Sequence, residues 1–314
     1  MMKLCGGFGS ILLALLLSLD SAVAHDDLNP AWQSPLLRDH PLVGRIWDQQ
    51  AQQFISPEEL LAAAAAARFL LLGEKHDNPD HHSLQRALLS RLLQASPAPL
   101  LSFEMLDSSQ TPVLAQLRES GPGTLEELRS ALSWDEEGWD WAFYGPLIHD
   151  ALSAGITVRA GNISREEMGQ VYREPLDAAV AAVLGEAALT VLNNEIDVSH
   201  CGQLPASQFP AMVRVQQSRD FAMAGSLSAP AEAGQRILIA GNFHIRQDLG
   251  VPAYLVASGA AADLDEVVSL ALLEVSAESE VPTDYVEGQD GLSAYDYVWF
   301  TPMLTDEDYC AAFL

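Results

Sequence analysis

Short runs of large apolar residues recur along the chain, and each stops at a glycine or at a group that can carry charge. Residues 69–76 read FLLLGEKH, 99–104 PLLSFE, 156–162 ITVRAGN and 236–244 RILIAGNFH. Unbroken apolar runs of this length suit strands buried on both faces of a parallel sheet. Stretches of helical period lie between them: HHSLQRALLSRLL after the first, TPVLAQLRES and TLEELRSALS after the second, FPAMVRVQQSRDFAMA before the fourth. The alanine run 62–67 reads as one more helix. Strands alternating with helices predict an α/β fold, a mainly parallel sheet flanked by helices on both sides.

Ligands of such sheets sit beyond the carboxyl ends of the strands. Gly73 is then expected to let the backbone leave its strand, and Glu74, His76, Glu104, Asn162, Asn242 and His244 to share one edge. Two G-x-x-H motifs, Gly73 to His76 and Gly241 to His244, each follow an apolar run directly. Histidine and carboxylate together suit a divalent first-row metal held by His76, Glu104 and His244, with Glu74 as general base for a bound water. The alternative is a pair of histidines that only hydrogen-bond their loops. Asp80 reads as the N-cap of the next helix, and His81 and His82 as solvated residues of its first turn.

Between Trp134 and Tyr144 lie three Trp, one Phe and one Tyr. Trp139, Phe143 and Leu147 recur at helical spacing and read as core; the other reading is a flat aromatic wall with Tyr144 as its polar end.

Composition narrows the partners. The 314 residues are 49% hydrophobic, ample for a sizeable core, and the net charge is −27. So acidic a surface argues against nucleic acid and anionic membranes, and any anionic ligand needs a local basic site. Lys3, the run ILLALLLSL and Ala22-Val23-Ala24 describe a secretory signal peptide over residues 1–24, leaving a single mature domain, 25–314. The apolar run is too short to span a bilayer, and Cys5 does not follow it as a lipoprotein cysteine would. Export makes Cys201 and Cys310 candidates for a disulfide. The sequence has no G-x-S-x-G elbow, H-E-x-x-H helix, phosphate-cradling loop or C-x-x-C-H haem attachment.

Taken in order, LLLGEKHDNPDHHSLQ, LSFEML, the segment Trp139 to Tyr144, AGNISRE, HCGQLP with QQSRDFAMA, IAGNFHIRQDLGVPAYL and YDYVWFTP resemble the ChaN-like haem-binding family. The resemblance implies an envelope protein that binds ferric haem for haem or iron acquisition, alongside haem-transport components. It implies a homodimer holding two haems face to face, a tyrosine on iron, and an α/β sheet with an inserted helical subdomain, here about 108–153 and 164–225. Family members are often lipid-anchored, whereas this chain lacks the lipobox cysteine. Of seven tyrosines, Tyr144 is the favoured ligand for its aromatic neighbours. Tyr172 is the second, because Arg165 and Arg173 could meet the propionates. The wider group also contains TIKI-type metalloproteases and erythromycin-esterase-like enzymes, whose catalytic cluster corresponds here to Glu74, His76, Glu104 and His244. That resemblance implies a metal-dependent hydrolase as the alternative to a non-catalytic haem binder.

Overall fold

The computed structural model describes Leu28 and residues 31–95, 99–228 and 234–311; segment 1–24, read as a signal peptide, lies outside them. A hairpin of two short strands, β1 (Ile46–Asp48) and β2 (Gln53–Ile55), comes first. The four apolar runs follow as β3 (Phe69–Glu74), β4 (Leu100–Asp107), β5 (Thr157–Asn162) and β6 (Arg236–Gly241). Two later strands, β7 (Val267–Glu274) and β8 (Tyr297–Thr301), complete a sheet in the order β2-β1-β8-β7-β3-β6-β4-β5. Strands β3 to β8 are parallel, and β1 joins β8 antiparallel. The fold is α/β.

Side-chain alternation along β3 explains why both faces need helices. Leu70 and Leu72 point into one core and Phe69 and Leu71 into the other, all at 1% exposure or less. The first core is closed by α1 (Pro57–Ala66), α2 (Pro79–Ala95), α3 (Thr111–Ser120), α4 (Leu125–Leu132) and α5 (Trp141–Ser153), through residues such as Leu60, Leu84 and Ile148. In chain order, α6 (Arg165–Arg173), α7 (Ala178–Ala181), α8 (Glu186–Ser199), α9 (Phe209–Leu227) and α10 (Val251–Ala257) follow. Leu192 on α8, Met223 on α9 and Leu255 on α10 close the second core. Each such buried side chain contributes about 1.5–3 kcal/mol relative to exposure. The region 108–153 thus carries α3 to α5, and 164–225 carries α6 to α8 and most of α9.

Two local expectations are corrected. Gly73 does not release the chain: it stays in β3, in register with Ala240, and the strand continues through Glu74. A Cβ at Gly73 would lie 2.3 Å from Asn242 Oδ1 and 2.6 Å from Ile245 Cδ1, so close packing against the loop after β6 is what requires glycine. Nor is Asp80 a helix cap, because its carboxylate accepts from the backbone N–H groups of Gln33 (2.7 Å) and Ser34 (2.9 Å). His81 and His82 are buried rather than solvated. His81 Nδ1 accepts from Lys75 N (2.8 Å) and its Nε2 meets Thr301 Oγ1 (2.8 Å), which fixes the loop after β3 to β8. Burial lowers its pKa well below the ordinary histidine value, so the ring is neutral.

Cys201, just past α8, is joined to Cys310 by a disulfide with a Cα separation of 5.4 Å. Among the described residues no helix is long and apolar enough to cross a membrane.

Candidate functional site

The adjacent strands β3, β6, β4 and β5 deliver Glu74, Gly241, Glu104 and Asn162 to one edge. Glu74 is the last residue of β3 and fully enclosed; its Oε1 takes His76 Nδ1 at 2.5 Å and the Tyr144 phenol at 3.0 Å. Its Oε2 is buried without a hydrogen-bond partner, 4.0 Å from His82 Nε2. Burial works against a charge on His76, but the hydrogen bond and charge of Glu74 outweigh it and raise the imidazole above its ordinary pKa. The His76 side chain is 43% exposed, and its ring meets Trp139 edge-on at 4.7 Å. His76 is therefore the member of this cluster that can exchange protons with solvent.

Glu104 and His244 form the second half. Glu104 Oε2 accepts from Gly241 N (2.9 Å), and Oε1 lies 3.2 Å from His244 Nε2. The opposite nitrogen of that ring, Nδ1, is 2.6 Å from Asp220 Oδ1, contributed by α9. Burial favours neutral forms throughout, yet two carboxylates around one ring raise the His244 pKa to about 10. Against its own burial, Glu104 is held well below the usual carboxylate range by the His244 imidazolium. Burial leaves Asp220 above that range. Asn162 Nδ2 donates to the Glu104 carbonyl (3.0 Å) and ties β5 to β4 where their register shifts. At Gly241 an added Cβ would lie 3.1 Å from His76 Cε1 and Nε2 and 3.6 Å from Glu104 Oε2, so the two halves meet over this glycine.

The strand-end set thus comes together, but as carboxylate–imidazole pairs. His244 has both nitrogens committed to carboxylates, and among the described residues no group of three or more His, Cys, Asp or Glu side chains is disposed to hold a metal ion. The chemistry offered by this arrangement is proton transfer at His76 beside a buried charge relay.

The tyrosines are dispersed. Tyr144 is fully buried on α5, with its ring among His82, Trp134 and Trp139. Burial and the Glu74 carboxylate push its pKa well above the ordinary phenol value, which makes it a neutral donor. The aromatic segment is largely core, with Leu147 buried and Trp139 and Phe143 packed at its edge. Tyr172 is 37% exposed on α6, a helix in which no residue is buried. Its carbonyl is held by Arg214 (2.7 Å) from α9. A capping box between Ser164 and Glu167 starts α6 and sets Arg165 at its first position, on a cleft with Glu104, Trp139, Asn162 and Arg219. Arg173 is exposed in the last turn, about 12 Å farther along the helix axis at the usual rise.

Asp220 is a site residue that no strand-end pattern marks. The available signal is a polar cluster, Gln217, Ser218 and Asp220, among the otherwise apolar buried residues of α9.

The family described as haem-binding uptake, Tiki superfamily, ChaN, matches residues 60–255. A search of the curated proteins finds no match. Among solved structures the chain is similar to one described as cofacial heme binding to ChaN of Campylobacter jejuni. Identity there is 24% and the TM-score 0.65, over 81% of this chain and 95% of that one, a likeness of fold. It is also similar to an erythromycin esterase, EreC, in its open conformation, at 15% identity and a TM-score of 0.42, over 74% of this chain and 77% of that one.

Proposed function

Because the chain belongs to the haem-binding uptake family of the Tiki superfamily that includes ChaN, we propose that it is an exported binder of ferric haem serving haem or iron acquisition in the cell envelope. Tyr172 is the proposed iron ligand. The observation that carries this choice is its exposed ring on α6, set against the enclosed Tyr144, whose phenol is bonded to Glu74. A phenolate needs access to the metal and freedom to lose its proton, and Tyr172 has the access. Haem would supply a ferric centre for one phenolate. The chain's own part is to hold the porphyrin over α6, with Arg173 beside the ligand and Arg165 at the far end of the helix for anionic substituents.

The similar Campylobacter jejuni protein is described as binding haem cofacially. For this chain we infer a homodimer in which two copies of the exposed α6 surface face each other across a two-fold axis, delivering haem to transport components of the envelope. Haemin titration of the full chain tests the ligand. Wild type is expected to give a saturable Soret shift with a phenolate charge-transfer band, and Tyr172→Phe to lose that band while keeping its circular dichroism. A band that persists in Tyr172→Phe overturns the assignment.

A further inference from the structure

The protein carries 43 Asp and Glu against 16 Lys and Arg, so an arginine without a carboxylate is out of place. Four guanidinium groups have found one: Arg68 closes on Glu266, Arg86 on Asp150, Arg129 on Glu126 and Arg246 on Asp248. Arg165 and Arg219 have not. Among the described residues neither guanidinium forms an ion pair or hydrogen bond, and Arg219 Nε is buried with no partner. Both line one cavity of about 210 Å³, between the ends of β4 and β5, the loop after α4 and helix α6.

Three carboxylates share this lining: Glu104, Asp107, which accepts from the Ser109 N–H, and Asp135, which is exposed to solvent. Asp220, next to Arg219 in the chain, reaches His244 instead, and Glu104 holds His244 and the Gly241 N–H. The Arg219 charge is still felt at both carboxylates, each of which it pulls downward, so it stands close by without pairing. Leu132, Trp139, Ile163 and Met168 supply apolar wall. Two forked donors beside apolar surface are suited to a carboxylate carried on an apolar body, because a guanidinium matches that anion in two parallel hydrogen bonds.

We propose that this cavity is a carboxylate-binding site with Arg219 and Arg165 as its anchors. Its volume is below that of pockets that enclose drug-sized ligands, so it takes a small acid or one carboxylate arm of something larger. Two sources share this chemistry. One is a propionate of a porphyrin lying on α6, which rests on the haem reading above; the other is a free organic acid, which does not.

The test uses the full chain and three probes: haemin, haemin dimethyl ester and benzoate. If the cavity holds a propionate, wild type binds haemin at least tenfold more tightly than the ester, and Arg219→Met and Arg165→Met remove the difference. Equal binding of haemin and ester, with calorimetric benzoate binding lost in both variants, assigns the site to a free acid. Benzoate binding without any haemin binding keeps the site and refutes the haem reading. Haemin binding with no ester penalty and no benzoate heat refutes the site alone. Arg219→Lys, which keeps the charge but not the fork, guards against misfolding and is expected to retain only part of the effect.

Discussion

The Tyr144 phenol and the Glu74 carboxylate are joined by a 3.0 Å hydrogen bond that ties helix α5 to the end of β3. Both groups are enclosed, and the oxygen that accepts from Tyr144 also accepts from His76. Tyr144 therefore orients a carboxylate. Tyr144→Phe is expected to destabilise the protein by about 1.5–3 kcal/mol, as for a lost hydrogen bond to a charged group. Haemin titration of this variant should keep the charge-transfer band. Loss of the band without loss of stability would return the ligand role to Tyr144.

The Asp220–His244–Glu104 bridge makes stability depend on alkali. In the folded state the His244 pKa is about 10, above its ordinary value of 6.5. Between those values the native state binds more protons than the unfolded one, so unfolding free energy falls as pH rises. The stabilisation is complete below about 6.5 and is lost as pH passes through about 10. Where the difference is one whole proton, the slope is about 1.4 kcal/mol per pH unit. Urea titrations at intervals from pH 6 to 10 should show this decline in wild type. His244→Gln should be weaker at neutral pH and flatter across the window. Parallel curves for the two proteins would place the charge elsewhere.

Much of this edge was legible in the sequence because both of its signals are local. An apolar run marks a strand buried on two faces, and the polar residue that ends it marks the edge, which brought Glu74, Glu104, Asn162 and His244 forward together. What remained hidden depends on distant contacts. Asp220 reaches His244 from α9, at a sequence distance of 24 residues, and Tyr144 reaches Glu74 over 70. His81 looked solvated because its partner, Thr301, is 220 residues away. The strand pair β1 and β2 was missed for another reason: three-residue strands carry too little periodicity to stand out.

Gly73 offers a test of how tightly the edge is packed. An alanine Cβ would sit 2.3 Å from Asn242 Oδ1 and 2.6 Å from Ile245 Cδ1. Asn242 cannot move freely, since its Nδ2 donates to the Leu272 carbonyl (2.7 Å). Gly73→Ala is expected to cost about 1–3 kcal/mol by overpacking. By displacing the start of the loop that carries His244, it should also flatten the alkaline decline described above. A thermal midpoint and pH profile equal to wild type would show that the loop after β6 yields without cost.

The disulfide between Cys201 and Cys310 closes a loop with a sequence separation of 109 residues and pins Cys310 beside α8. Next to it, Tyr309 donates to Asp77 Oδ2 (2.9 Å) and its ring lies 5.8 Å from Lys75 Nζ, so this segment lies against the loop that bears His76. In the chain-entropy view, a bridge of that span stabilises the folded state by roughly 4–5 kcal/mol. Cys201→Ser with Cys310→Ser is expected to lose much of that in denaturant titration, and wild type in strong reductant to follow it. Tyr309→Phe alone should have a far smaller effect, since that hydrogen bond is exposed. If reductant leaves wild-type stability unchanged while the double variant is weakened, the effect belongs to packing at the two positions and not to the covalent link.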